Sequence, residues 1–114
     1  MTTEELSKIK PLTKEEAVAL VTELGLGNTE TYNLTKAAEE CAELVEIILK
    51  KINKAGSDRE PSNKAIAEEI ADVNLRTAIL AVSLGLAPFV EDRIYRKCAK
   101  LADILKTNRY ENKV

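Results

Sequence analysis

Residues 35–54, TKAAEECAELVEIILKKINK, and residues 63–84, NKAIAEEIADVNLRTAILAVSL, decide the fold between them. Both are long enough for five or more helical turns. Neither contains Gly or Pro, and neither alternates apolar and polar residues as a half-buried strand does. They also share a phrase. Ala38-Glu39-Glu40-Cys41-Ala42-Glu43-Leu44 and Ala67-Glu68-Glu69-Ile70-Ala71-Asp72-Val73 both read Ala-Glu-Glu-x-Ala-acid-aliphatic. Two long helices joined by a short loop pack antiparallel as neighbours. Glu43 stands 13 residues before Gly56 and Glu69 stands 13 residues after it. Antiparallel packing therefore sets the two acidic turns level and face to face.

Working outward from this pair, Gly and Pro punctuate the chain into four helical segments. The first runs from about Thr13 to Leu24, with Thr13 and Glu16 in a capping-box pattern and Gly25 as its stop. The second begins between Thr29 and Thr35 and ends before Gly56, with Lys50, Lys51 and Lys54 where the macrodipole favours cations. A loop, SDREPSN, spans 57–63, and the third helix runs from Ser62 or Asn63 to Gly85. Pro88 suits the first turn of a fourth, ending near Lys106, and residues 107–114 are expected to fray. The expectation is an all-α, four-helix bundle forming a single domain over 1–114, with its core in about 13–106.

Composition narrows the chemistry. The 114 residues hold one modest core, and 45% hydrophobic with 32% charged residues is an ordinary globular balance. A net charge of -2 gives no reason to expect binding to a nucleic acid polymer. No signal peptide and no apolar run of bilayer length is evident, so a soluble, cytoplasmic protein with no membrane contact is expected. Cys41 and Cys98 sit in apolar helical runs and read as reduced core thiols. The count of zero histidines excludes His-based zinc sites, Ser-His or Cys-His nucleophiles and Glu-x-x-His di-iron motifs.

The carboxylates remain. At about 100° per residue, Glu39, Glu40, Glu43 and Glu46 share one arc of the second helix, near Lys36 and Lys50, with Leu44, Val45, Ile48, Leu49 and Ile52 opposite. Taken alone, this is a solvated charged face. The third helix changes the balance. Glu69, Asp72 and Arg76 form a narrow stripe on a helix apolar almost all round, and such a helix is expected to be buried. Unpaired buried ions are costly, and one Arg76 does not neutralise Glu69, Asp72, Glu40 and Glu43. A divalent cation does. An all-oxygen donor set suits magnesium, or manganese, and one or two such ions would clamp a polyphosphate and lower the pKa of a bound water.

Glu39-Glu40-x-x-Glu43 followed by Glu69-x-x-Asp72 resembles the EExxE…ExxD signature of the MazG-like all-α nucleoside triphosphate pyrophosphatases, over roughly Thr35 to Leu105. The resemblance implies hydrolysis of NTPs or dNTPs between the α and β phosphates, to a nucleoside monophosphate and pyrophosphate. It implies Glu40, Glu43, Glu69 and Asp72 as Mg²⁺ ligands. Glu39, as an additional acid, would orient or deprotonate the attacking water, and Glu43 shares the catalytic role as a second candidate. Family members often carry a downstream basic segment followed by Asn. Here Arg93, Arg96, Lys97 and Lys100 supply the basic part, with Lys97 and Lys100 the better phosphate contacts, and Leu101 stands in the place of the Asn. These cations read equally well as a solvated helix face. Arg76 either contacts phosphate or orients Asp72.

Asn74 interrupts the apolar arc of the third helix and suggests a buried polar network or subunit contact before substrate-base recognition; Tyr32 and Tyr95 read as packing residues before nucleobase-stacking ones. A third helix apolar on so many sides needs more cover than one short chain provides, so a homodimer or homotetramer is expected, with the active site at or near a subunit boundary. Two further readings stay open: a phosphoribosyl-ATP pyrophosphohydrolase, which shares the architecture, and a non-catalytic metal-binding helical dimer.

Overall fold

The computed structural model describes residues 1–107. Five helices follow one another: α1 (Thr3–Ser7), α2 (Lys14–Gly27), α3 (Glu30–Asn53), α4 (Asn63–Ser83) and α5 (Ala87–Lys106). No strand occurs among the described residues. The expected fraying concerns a stretch that, beyond Thr107, lies outside them.

The helix starts are written in short polar side chains. Thr13 and Glu16 form the full capping box: the Glu16 amide donates to Thr13 Oγ1 at 3.2 Å and the Thr13 amide to Glu16 Oε1 at 2.8 Å. Thr29 settles the start of α3, accepting from the Tyr32 amide at 3.1 Å, and Ser62 does the same for α4 through the Ala65 amide at 3.1 Å. At the other end of α4, Gly85 takes a positive φ of 70°. That conformation lets the Gly85 amide reach the Val82 carbonyl at 2.9 Å and the Leu86 amide reach Ala81 at 2.8 Å, the paired bonds of a Schellman stop. Pro88 falls in the first turn of α5, as expected.

Two boundaries differ from the sequence reading. A short α1, capped by Thr2, precedes the four expected helices. And α2 does not stop before Gly25 but runs on to Gly27. Gly25 serves helix packing there. A Cβ on it would stand 2.6 Å from Val82 Cγ1 and 2.9 Å from the Ile79 carbonyl oxygen, so its bare Cα is what lets α2 close on α4.

α4 is the hub. It packs along α3, against α2, and only sparingly against α5, whose Val90 and Ile94 approach the C-terminal half of α4. The α3–α4 contact is a regular antiparallel seam. On α3 the shielded positions Asn33, Ala37, Glu40, Leu44, Ile47 and Lys51 alternate spacings of four and three; on α4 the row Ile66, Glu69, Val73, Arg76, Leu80 and Ser83 does likewise, beside further shielded residues such as Ala65, and Ile79 and Val82 on the arc toward α2. This is the 3–4 periodicity of coiled-coil packing. α5 has no substantial packing on α2 or α3, so one chain does not close into a four-helix bundle.

The consequence is an unusually bare chain. Ile79 is the one large apolar side chain fully enclosed among the described residues; Ile70 and Leu75, on the helix expected to be buried, are 44% and 48% exposed. Cys41 and Cys98 are free but exposed, not core thiols, because the apolar arcs that carry them face outward. Asn74 is likewise exposed within the chain. The accessible surface is 9289 Å² for a 12.6 kDa chain, where a compact monomer of that mass exposes about 6200 Å². The radius of gyration, 17.2 Å, likewise exceeds the roughly 13 Å of a compact domain this long. No described helix is long and apolar enough to cross a membrane.

Candidate metal centre

The seam register brings one turn of α3 against one turn of α4 at the level of their acids. One carboxylate oxygen each from Glu40, Glu43 and Glu69 lies within 4.8 Å of the other two. Glu40 and Glu69 occupy seam positions, so the helices themselves hold them inward; Glu43, one turn from Glu40, stands at the rim and is exposed. Beside them opens a small groove of about 190 Å³ lined by Glu43, Glu46, Ile47, Lys50 and Glu69.

Two features mark the cluster as unsatisfied. The Oε2 atoms of Glu40 and Glu69 are buried and have no hydrogen-bond partner. Buried acceptors of this kind normally find one. Both carboxyls are also pushed above the usual carboxylate range. For Glu40, lost hydration acts most, then the charges of Glu43 and Asp72; for Glu69, lost hydration again leads, followed by Glu43 and Asp72. A solvated charged face shows neither feature.

The other expected site residues sort into three groups. Asp72 lies near enough for its charge to act on Glu40 and Glu69, but it is exposed and outside the close trio. Glu39 faces outward, its carboxylate 3.3 Å from Lys36 Nζ. Arg76 is half-buried on the seam of α4 and forms no ion pair among the described residues.

The α5 cations are not brought to the acids. Arg96 is held by Asp92 of its own helix at 2.7 Å, Arg93 lies 6.0 Å from the Phe89 ring centre, and Lys97 and Lys100 are exposed without an ion pair among the described residues. Tyr32 and Tyr95 are 44% and 67% exposed, against the expectation that they pack; the Lys36 ammonium lies 5.6 Å from the Tyr32 ring centre.

Asn33 escaped the sequence reading. It is 2% exposed, on the seam two turns before Glu40; its amide nitrogen approaches the Gly25 carbonyl at 3.5 Å, and its Oδ1 has no partner. The signal was available. Asn33, Glu40 and Ile47 are spaced by seven, so whatever turns Glu40 inward turns Asn33 inward too.

A hard divalent cation fits this donor set. It supplies the positive charge that three converging carboxylates lack, and it prefers oxygen ligands. No family model, no curated protein and no solved structure matches the chain.

Proposed function

We propose that the protein is a Mg²⁺-dependent nucleoside triphosphate pyrophosphohydrolase, which hydrolyses NTPs or dNTPs between the α and β phosphates to a nucleoside monophosphate and pyrophosphate. The observation that carries this reading is the pair of orphaned, shielded carboxylate oxygens on Glu40 and Glu69, held with Glu43 in one cluster. The order and spacing of those acids match the EExxE…ExxD pattern of the MazG-like enzymes, and that resemblance is the source of the cleavage position.

In this reading Glu40, Glu43 and Glu69 hold the ion, with Asp72 completing the set from the rim. When bound, the ion would neutralise phosphate charge and acidify a coordinated water. The chain's own residues supply the rest. The seam fixes Glu40 and Glu69 in place, so little reorganisation precedes binding. Glu43 and Glu46 line the groove's mouth, where a carboxylate can accept a proton from the attacking water. Glu39 stands one residue away, on the outer arc; for it to act as the base it must leave Lys36. Glu43 is therefore the better placed of the two expected catalytic acids.

A second reading, a non-catalytic metal-binding helical protein, draws on one observation: Lys97 and Lys100 do not reach the acids within the chain. Incubation with a panel of NTPs and dNTPs plus magnesium separates the readings. Pyrophosphate release that disappears in Glu43→Ala and Asp72→Ala supports the enzyme. Orthophosphate release contradicts the cleavage position. No turnover, with Mg²⁺ still bound, supports the second reading. With phosphoribosyl-ATP added as a further substrate, pyrophosphate release from it alone would point to the histidine-pathway enzyme instead.

A further inference from the structure

Asn33 and Ile79 are the largest side chains fully enclosed among the described residues. They stand level. Asn33 lies 23 residues before Gly56 and Ile79 lies 23 after it, the same symmetry that sets Glu43 against Glu69. At this height three helices meet. The Asn33 side-chain amide reaches from α3 to the Gly25 carbonyl of α2 at 3.5 Å. Gly25 in turn is seated on α4, where a Cβ on it would stand 2.9 Å from the Ile79 carbonyl oxygen and 2.6 Å from Val82 Cγ1. The amide has one workable orientation: turned over, it would set Oδ1 against the Gly25 carbonyl, acceptor against acceptor. In that orientation Oδ1 is buried without a donor. A leucine would fill the place and leave no polar atom unmatched, so packing alone does not account for Asn33.

Glu40 stands seven residues further along the same seam, or about 10.5 Å. Its meeting with Glu69 requires α3 and α4 to be held at one height, and the other contacts of the seam do not select that height. The aliphatic contacts of Leu44, Ile47, Val73 and Leu80 are non-directional, and a slide of one heptad would replace them with others of the same kind. The carboxylates favour such a slide, because it takes like charges apart. Asn33 differs from both. Its amide has the Gly25 carbonyl within reach at one height only, in the way a single buried Asn fixes the register of a coiled coil. We propose that Asn33 is a positioning residue: seated on Gly25, it fixes α3 against α4 at the height where Glu40 and Glu43 meet Glu69. The inference rests on the reading of that cluster as a cation site and adds to it what holds the acids together before an ion arrives.

Metal uptake by the full chain tests this. Asn33→Leu removes the amide and adds apolar volume. Calorimetry should show it binding Mn²⁺ about tenfold more weakly than the wild type, the scale on which groups that orient metal ligands act. Its denaturation midpoint in EDTA should not fall. Ile79→Val, at the same height on α4, should do the opposite, lowering the midpoint and leaving the Mn²⁺ Kd unchanged. A side chain that only supports the fold moves stability and not affinity, so an unchanged Kd in Asn33→Leu overturns the inference. Equal weakening in Ile79→Val also overturns it, because affinity would then merely follow packing. Should leucine prevent folding, Asn33→Ala removes the amide without adding volume; it should weaken Mn²⁺ binding to the same extent, and a wild-type Kd in it overturns the inference as well. Wild-type protein that takes up no Mn²⁺ refutes the cation-site reading itself, and this inference falls with it.

Discussion

Replacing Glu40 by Gln should make the metal-free protein more stable, although it removes a site residue. Carboxylate oxygens of Glu40, Glu43 and Glu69 lie within 4.8 Å of one another. Two full charges at that separation repel by about 3.5 kcal/mol at an effective dielectric of about 20, and by about 0.9 kcal/mol in water. Glu40 is half-buried, which places each repulsion between these limits. The raised pKa values of Glu40 and Glu69 relieve part of it already, so a net gain of about 1–2 kcal/mol is expected. The Gln amide can also donate to a neighbouring carboxylate, where the Glu40 Oε2 atom has no partner. For a domain of this size the gain corresponds to a rise of about 3–10 °C in Tm. Magnesium should close the gap. Ten-fold excess over Kd stabilises the wild type by about 1.4 kcal/mol, and the variant should lose most of that increment. Thermal melts of both proteins in EDTA and in 10 mM Mg²⁺ measure all four terms. A variant that melts below the wild type in EDTA, or two proteins raised equally by magnesium, would refute the idea that these acids form a strained, cation-seeking cluster.

Other consequences are simpler. Glu40 and Glu69 have raised pKa values, so the folded, metal-free state binds their protons more tightly than the unfolded chain. Their contribution is fully present below the unfolded value and is lost as pH rises through the folded one; melts in EDTA should therefore improve from pH 8 toward pH 5. Glu16 and Glu60 are shifted down, Glu16 by its capping bonds to Thr13 and Glu60 chiefly by Lys51, so their contribution is lost in the acid range below the ordinary value of 4.5. A steady fall in stability from pH 8 to 5 would contradict the assignment. Gly25→Ala should destabilise by about 1–3 kcal/mol through overpacking, despite alanine's advantage of about 1 kcal/mol within a helix; chemical denaturation reporting a gain would show that α2 and α4 separate freely. Asp72→Ala and Glu43→Ala should abolish turnover while far-UV circular dichroism stays unchanged, and wild-type turnover in either would remove that residue from the ligand set.

Much of the fold was legible because its signals are local. Thr13 with Glu16, Thr29, Ser62, Gly85 and Pro88 act within a turn of their own position, and each marks a helix end in the structure. Gly25 misled for a physical reason. A glycine that ends a helix and one that admits a neighbouring helix look alike until the neighbour, here Val82, is in place. The carboxylate cluster was legible because two copies of one phrase, level across a loop, fix a three-dimensional meeting from spacing alone. The positions of Lys97 and Lys100 were not. Where α5 goes depends on how far it leans from α4, and no local pattern encodes that angle.

α3 shows why the site and the bare surface belong to one account. Its apolar arc was the natural inward face, yet Val45, Ile48, Leu49 and Ile52 are 41–65% exposed while Glu40 sits on the seam. For an isolated chain in water this orientation is wrong twice over, since it shields carboxylates and hydrates aliphatics. The 3–4 periodicity of shielded positions from Asn33 to Lys51 leaves no room to rotate the helix without breaking the register with α4. In the proposed reading two additions correct both errors: a cation among the carboxylates, and apolar cover on the outer arc. The same helix would then be stabilised from both sides at once. Metal uptake and self-association should accordingly be thermodynamically coupled, because each favours the closed α3–α4 seam over states in which it opens. Sedimentation at several protein concentrations, with EDTA and with Mg²⁺, reads that coupling directly. Association that is tighter with the metal is the expected result. An association constant indifferent to Mg²⁺ would show that the inner and outer faces of α3 are satisfied independently.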